Sequence, residues 1–213
     1  MIIAIDGPVA AGKGTLARRL AQHFGYAYLD SGSLYRAVAR RVLRAGANPS
    51  NAATSTAAAK ALQADDLNDP ALRDQAVGDA ASKVAAFPSV REALLEYQRS
   101  FAKQPPGGAA GAVLDGRDIG TVVCPGADAK LFVTARPDVR ARRRFLEIQA
   151  RGGPETFEQV LAELKARDAR DTARKVAPLK PAPDAHLLDT SDLDIDTAFA
   201  AALAYIESRT RAK

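Results

Sequence analysis

The chain has 213 residues, with 47% in the hydrophobic class, 26% charged and a net charge of +5. That composition fits one domain with a real core and excludes a disordered chain. No run approaches the roughly 18 apolar residues of a membrane span, the start is not built like a secretory signal, and one cysteine with two distant histidines excludes an internal disulfide and a zinc site made from these alone. A soluble cytoplasmic protein is expected.

Residues 2–5 (Ile-Ile-Ala-Ile) form a short apolar run that ends near a glycine, the pattern of a buried parallel strand. The spacing of Leu16, Ala17, Leu20, Ala21 and Phe24 predicts a helix from about 13 to 23, stopped by Gly25. Residues 26–29 predict a second strand, and 33–45 a helix closed by Gly46. The Ala-rich stretch 50–104 predicts helices near 52–63, 71–86 and 89–102, with Pro70 and Pro88 at first turns. After a Pro/Gly loop at 105–108, strands are predicted at 112–114 and 130–133, helices near 137–150 and 155–173, a strand at 186–188 and a helix near 194–208. Strands alternating with helices imply an α/β fold, a parallel five-stranded sheet with helices on both faces. The helical block at 50–104 is the candidate inserted subdomain.

Gly7-Pro8-Val9-Ala10-Ala11-Gly12-Lys13-Gly14-Thr15 sits between the first strand and the first helix, and matches the phosphate-binding pattern G-x-x-x-x-G-K. Glycines let backbone N–H groups turn inward as an anion nest, the helix start adds partial positive charge, and Lys13 a full one. The hydroxyl arrives one place late, at Thr15. Nucleotide binding follows from this segment; the reaction does not.

Four further segments carry polar groups at sheet ends or on one helix face. Ser31 and Arg36 stand at the turn after the second strand, where parallel sheets bind ligands, although a helix-capping turn reads the same way. Asp115-Gly116-Arg117-Asp118 follows the third strand. Asp115 resembles a Walker-B carboxylate that orients Mg²⁺ or its waters, against an ordinary Asp-Gly turn. Arg167, Asp171 and Arg174 share one helix face and suit a sugar and a phosphate, or else solvated i,i+4 pairing. Ser82 and Arg91 carry the same two readings. The dense patch Arg136, Arg140, Arg142, Arg143, Arg144 serves either nucleic acid or a smaller polyanion.

Together these segments resemble the bacterial cytidylate kinases, a nucleoside monophosphate kinase family. The motifs are Ile-Asp-Gly-Pro-x-x-x-Gly-Lys-Gly-Thr, Leu-Asp-Ser-Gly-x-x-Tyr-Arg, Val-Ala-x-Phe-Pro-x-Val-Arg, Asp-Gly-Arg-Asp-x-Gly-Thr-Val-Val and Arg-Asp-x-Arg-Asp-x-x-Arg followed by Val176-Ala177-Pro178-Leu179. The resemblance runs from residue 2 to 190 and implies a P-loop NTPase-type core at about 1–50 and 107–213. It further implies an acceptor-nucleotide-binding insertion at about 50–105 and a short lid at about 144–158. It implies transfer of the ATP γ-phosphate to CMP or dCMP with Mg²⁺, by a monomer that uses neither membrane nor nucleic acid. ATP would lie on residues 7–15 with Arg140 and Arg144. Ser31, Arg91 and Asp118 would read the cytosine, and Ser82, Arg167 and Asp171 would hold the sugar. Arg36, Arg117 and Arg174 would take the acceptor phosphate. Lys13, Arg117 and Arg174 would be catalytic, and the metal would meet Asp115 through water, with Thr15 a second contact.

The arginine patch, which has no aromatic residue interleaved for base stacking, then belongs beside the lid over ATP. Cys124 reads as a half-buried small residue, and His23 and His186 as capping or solvent-facing. One departure stands out. Family members often carry a longer insertion with several strands before Ser82, whereas residues 51–81 read as helix and loop. How this segment closes on CMP, and how firmly it rejects UMP, is left to the tertiary structure.

Overall fold

The computed structural model describes residues 1–211. Five strands, β1 (Ile2–Asp6), β2 (Ala27–Asp30), β3 (Ala112–Gly116), β4 (Ala129–Thr134) and β5 (His186–Asp189), pair in parallel in the order β2-β3-β1-β4-β5. β1 sits at the centre, with Ile3 opposite Val113 on one side and Ala129 on the other. Parallel pairing carries Asp6, Asp30 and Asp115 to the same end of the sheet, because Asp6 registers with Gly116 and Asp30 with Asp115.

Alternation along the strands divides the core into two faces. Ile3 and Ile5 of β1, with Leu131 and Val133 of β4, pack under α1 (Lys13–Phe24) and α8 (Ile195–Arg211) through Leu16, Leu20 and Ile206. On the other face, Ala4, Leu29 and Leu114 meet Ala102 of α5 (Pro88–Lys103). A separate apolar cluster joins α2 (Ser31–Arg44), α3 (Ala52–Lys60), α4 (Gln75–Val84) and α5 through Val38, Val77, Val84, Val90 and Leu94. The Ala-rich segment thus folds on a core of its own, shared with α2. Helices α6 (Pro137–Gln149) and α7 (Phe157–Thr172), between β4 and β5, each contribute residues to the cleft described below.

The predicted elements are all present, with four local differences. The helix predicted at 71–86 is broken. Pro70–Arg73 is a 3₁₀ turn, whose first free amide, Ala71 N, donates to the Asp69 carboxylate at 2.9 Å, and Asp74 is extended before α4 begins. Aspartates favour such local side-chain-to-backbone bonds over helix continuation. A second 3₁₀ turn, Ala64–Asn68, lies between the helices predicted near 52–63 and 71–86. Residues Ile119–Val123 form a π turn, with no periodic apolar signal to announce it. α2 begins at Ser31 rather than Ser33, since Asp30 supplies the N-cap to Ser33 N at 3.3 Å.

Candidate active site

The phosphate loop is strained in the way its motif requires. Gly7 has φ +146°, and a Cβ there would lie 1.9 Å from the Val133 carbonyl oxygen, so only glycine fits. Ala10 and Gly12 are left-handed, at φ 58° and 87°. Gly12 caps α1 without a side-chain bond and the first turn holds no acidic residue, so the amides of that turn remain for an anion. The loop's carbonyls are tied back: Pro8 O accepts from Lys13 Nζ of the same loop at 2.8 Å, and from outside it Val9 O accepts from Arg140 at 3.3 Å and Ala11 O from the Thr190 hydroxyl at 3.1 Å. Burial, with Arg117 nearby, pulls the Lys13 ammonium down to about 7.

A cleft of about 490 Å³ opens from this loop across the strand ends to α4, α5 and α7. Asp115 lies in its floor, 6% exposed, with Oδ1 accepting from the Tyr28 hydroxyl at 3.2 Å. Burial and the charge of Asp30 raise the Asp115 carboxyl to about 6. Behind it, the Asp6 carboxylate accepts from Ile119 N at 2.8 Å and Gly120 N at 2.7 Å, which holds the π turn immediately after Asp118. Burial raises Asp6 to about 7 against the pull of these two amides.

At the far end, Asp171 is 1% exposed and sits between arginines. Arg117 Nε binds its Oδ2 at 3.0 Å, and Arg174 binds its Oδ1. Burial alone would raise the Asp171 carboxyl; Arg117, Arg174 and Arg167 outweigh it and hold it below the usual range. The Nε atoms of Arg167 and Arg174 are buried without a protein partner, so two guanidinium donors remain for a ligand. Burial and the neighbouring Arg117 bring Arg167 down to about 10. Arg91 meets Asp118 Oδ2 at 2.5 Å, donates to Ala85 O at 3.3 Å and lies over the Tyr35 ring at 5.3 Å. Ser31 donates to Asp115 O at 2.8 Å, and Gly116 must lack a side chain because a Cβ would fall 2.5 Å from Ser31 Oγ. Ser82 accepts from Arg170 Nε at 3.3 Å, and Arg36 pairs with Asp30 at 3.3 Å.

Val9, Ala10, Gly12, Lys13, Gly14, Thr15, Asp115 and every residue expected at the acceptor nucleotide line this one cleft. Gly7, Pro8 and Ala11 shape the loop from behind. Arg140 departs from its expected place at ATP. It is 4% exposed, absent from the cleft lining, and bound to Ala135 O (2.8 Å), Val9 O and Asp168 (2.7 Å). Its role here is to brace the loop against α7, since an acid on α7 claims its charge. The arginine patch does not act as one unit: Arg136 pairs with Asp192, Arg143 with Thr190, Arg142 is exposed, and Arg144 alone of the five reaches the cleft. Arg18, Tyr28, Arg151 and Gln75 also line or support the cleft and were not picked out from sequence. For Tyr28 a signal existed: it stands two residues before Asp30 on a strand whose end meets the ligand.

The sequence model of the cytidylate kinase family matches residues 3–208. A cytidylate kinase of Rhodopseudomonas palustris (strain HaA2) is 57% identical over 98% of this chain and 96% of its own length. One of Paramagnetospirillum magneticum is 59% identical over 98% of both. Such coverage makes these relatives nearly as short as this chain, so its length is shared by them. A solved structure of an uncharacterized protein from Eubacterium ventriosum ATCC 27560 agrees with TM-score 0.58 at 15% identity, covering 98% of this chain and 99% of that one, a likeness of fold alone. The phosphate loop, the arginine-framed cleft and this match over nearly the whole chain lead to one conclusion: the chain belongs to the cytidylate kinase family.

Proposed function

We infer that this protein transfers the γ-phosphoryl group of ATP to CMP or dCMP, giving ADP and CDP or dCDP. The observation that carries this reading is that one cleft gathers cationic groups for more than one phosphate. Lys13 and the start of α1 line it together with Arg117, Arg167 and Arg174, which surround Asp171.

The chain's residues act mainly by placement and charge. ATP phosphates take the amides of residues 9–15 and displace Lys13 Nζ from Pro8 O, so the ammonium shifts from a backbone carbonyl to phosphate. Arg36, Arg117 and Arg174 take the acceptor phosphate and hold one of its oxygens in line with the γ-phosphorus. That oxygen is already ionised, so no general base is required. Arg144 neutralises charge on the ATP side, and Arg140 keeps the loop in shape. Arg91, Asp118 and Ser31 read the cytosine. The buried Arg91–Asp118 pair supports this, since it fixes a carboxylate acceptor in a part of the cleft otherwise rich in donors. Ser82, Arg167 and Asp171 hold the sugar, consistent with the unpaired Arg167 Nε.

Mg²⁺ fits the donor set. Asp115, a buried carboxylate in the cleft floor, and the Thr15 hydroxyl in its lining are oxygen donors of the kind Mg²⁺ takes. Asp115 would hold it through water, with Thr15 supplying a hydroxyl. When bound, it would neutralise phosphate charge. In the same reading residues 50–105 act as the acceptor insertion and 144–158 as a lid whose closure keeps water from ATP. The enzyme would work as a cytoplasmic monomer without nucleic acid. No helix among the described residues is long and apolar enough to cross a membrane.

An ADP-release assay with CMP, dCMP, UMP and AMP tests the assignment. CMP and dCMP should be preferred; CMP no better than AMP would end it. Gel filtration with light scattering checks the monomer.

A further inference from the structure

We propose that Gln75 is a positioning residue that couples the acceptor side of the cleft to the ATP side by holding Arg144 from the first turn of α4. Gln75 Oε1 accepts from Arg144 Nη2 at 2.7 Å, and its Nε2 donates to Glu163 Oε2 at 2.8 Å. Arg144 is on α6 and Glu163 on α7, the two helices that flank the turn at 150–156. One amide therefore joins the acceptor-side helical block to both helices beside the lid.

The chemistry of the two neighbours dictates the residue. A guanidinium only donates and a carboxylate only accepts, so the side chain between them must do both, with its oxygen toward Arg144 and its nitrogen toward Glu163. Glutamate there would face Glu163 with like charge, and alanine would bridge nothing. The bridge also belongs to a longer seam. α4 buries Val77, Ala80, Ala81 and Val84 against α2, which turns Gln75, Gly78 and Ser82 toward α7. Gln75 meets Glu163, a Cβ on Gly78 would lie 3.9 Å from Arg167, and Ser82 meets Arg170. Both runs span seven residues, 75 to 82 and 163 to 170, so the groups that meet the acceptor sugar and the group that fixes Arg144 lie on the same face.

The inference rests on the functional reading above. If CMP and ATP each favour the arrangement in which α4 and Arg144 meet, the bond that joins them in this structure makes each ligand favour the other. Calorimetry measures this directly: the Kd of a non-hydrolysable ATP analogue with Mg²⁺ is determined with and without saturating CMP. CMP should tighten analogue binding to the wild type by about fivefold or more, in the usual range of site coupling. Gln75→Ala and Gln75→Leu, neither of which can accept from Arg144, should bring that gain to within about twofold of none, with the affinity for CMP alone within about twofold of wild type. Glu163→Ala, at an exposed position, should weaken the coupling in the same direction and guards against misfolding at Gln75. Coupling retained in the Gln75 variants, no coupling in the wild type, or an equal loss of CMP affinity alone would each overturn the proposal. A wild type that binds no CMP would instead overturn the functional reading, and this inference with it.

Discussion

Asp171→Asn removes one charge from the middle of three arginines and leaves the shape of the side chain almost unchanged. Asp171 is 1% exposed, and its partners Arg117 and Arg174 have side chains only 19% and 5% exposed. At 3.0 Å and an effective dielectric near 20, the attraction to Arg117 alone is about 5 kcal/mol. The cost of burying the carboxylate offsets much of that, and breaking a buried pair typically costs about 3–5 kcal/mol. Asparagine still offers one acceptor oxygen, so the lower end, about 3 kcal/mol, applies. For a chain of this length that is a fall in Tm of about 6–12 °C. The sign with pH also follows. The folded-state carboxyl is held below its ordinary value, so its contribution is present above the unfolded value near 3.9 and is lost as pH falls through the folded one. Thermal unfolding of the ligand-free protein, followed by circular dichroism from pH 7 to pH 3, should show a gap between wild type and variant that persists down to about pH 4 and then closes. A Tm difference below about 2 °C at pH 7 would refute the idea that this carboxylate holds the arginines together.

Three further outcomes are expected. Gly7→Ala places a methyl against the Val133 carbonyl at a φ that L-residues rarely adopt, so the loop must shift and turnover should fall by about 100-fold; a near-normal kcat would contradict the loop geometry. Lys13, near pKa 7 in the free protein, should charge when polyphosphate arrives, so binding of the ATP analogue at pH 7.5 takes up protons. Calorimetry in buffers of different ionisation enthalpy measures that uptake, and none would count against Lys13 as the phosphate ligand. Asp118→Asn takes away the acceptor paired with Arg91, and the kcat/KM preference for CMP over UMP should fall by about tenfold or more. An unchanged ratio would remove Asp118 from base selection.

Segments in which neighbouring residues act together were legible in the sequence. Gly7 to Thr15 is one continuous loop, and its strand-loop-helix context is local, so both the motif and its conformation could be expected. The shared face of Arg167 and Asp171 follows from helical period, whereas Arg174 lies past the end of α7 at Thr172 and reaches Asp171 from outside the helix. The broken helix at Asp74 and the π turn after Asp118 were not legible. The first depends on aspartates choosing local backbone bonds, and the second is held by Asp6 from the far end of the chain.

The net charge of +5 shows where the two kinds of knowledge part. The α/β order, the phosphate loop and the acceptor-side motifs can be read from the chain alone, because each is a short-range pattern of backbone geometry or apolar period. What the arginines do depends on the folded molecule, because each takes its role from whichever acid or carbonyl reaches it across the fold. Arg140 looked like an ATP ligand until Asp168 and Val9 claimed it, Arg136 and Arg143 were taken by Asp192 and Thr190, and Arg144 stayed in the cleft because Gln75 meets it there.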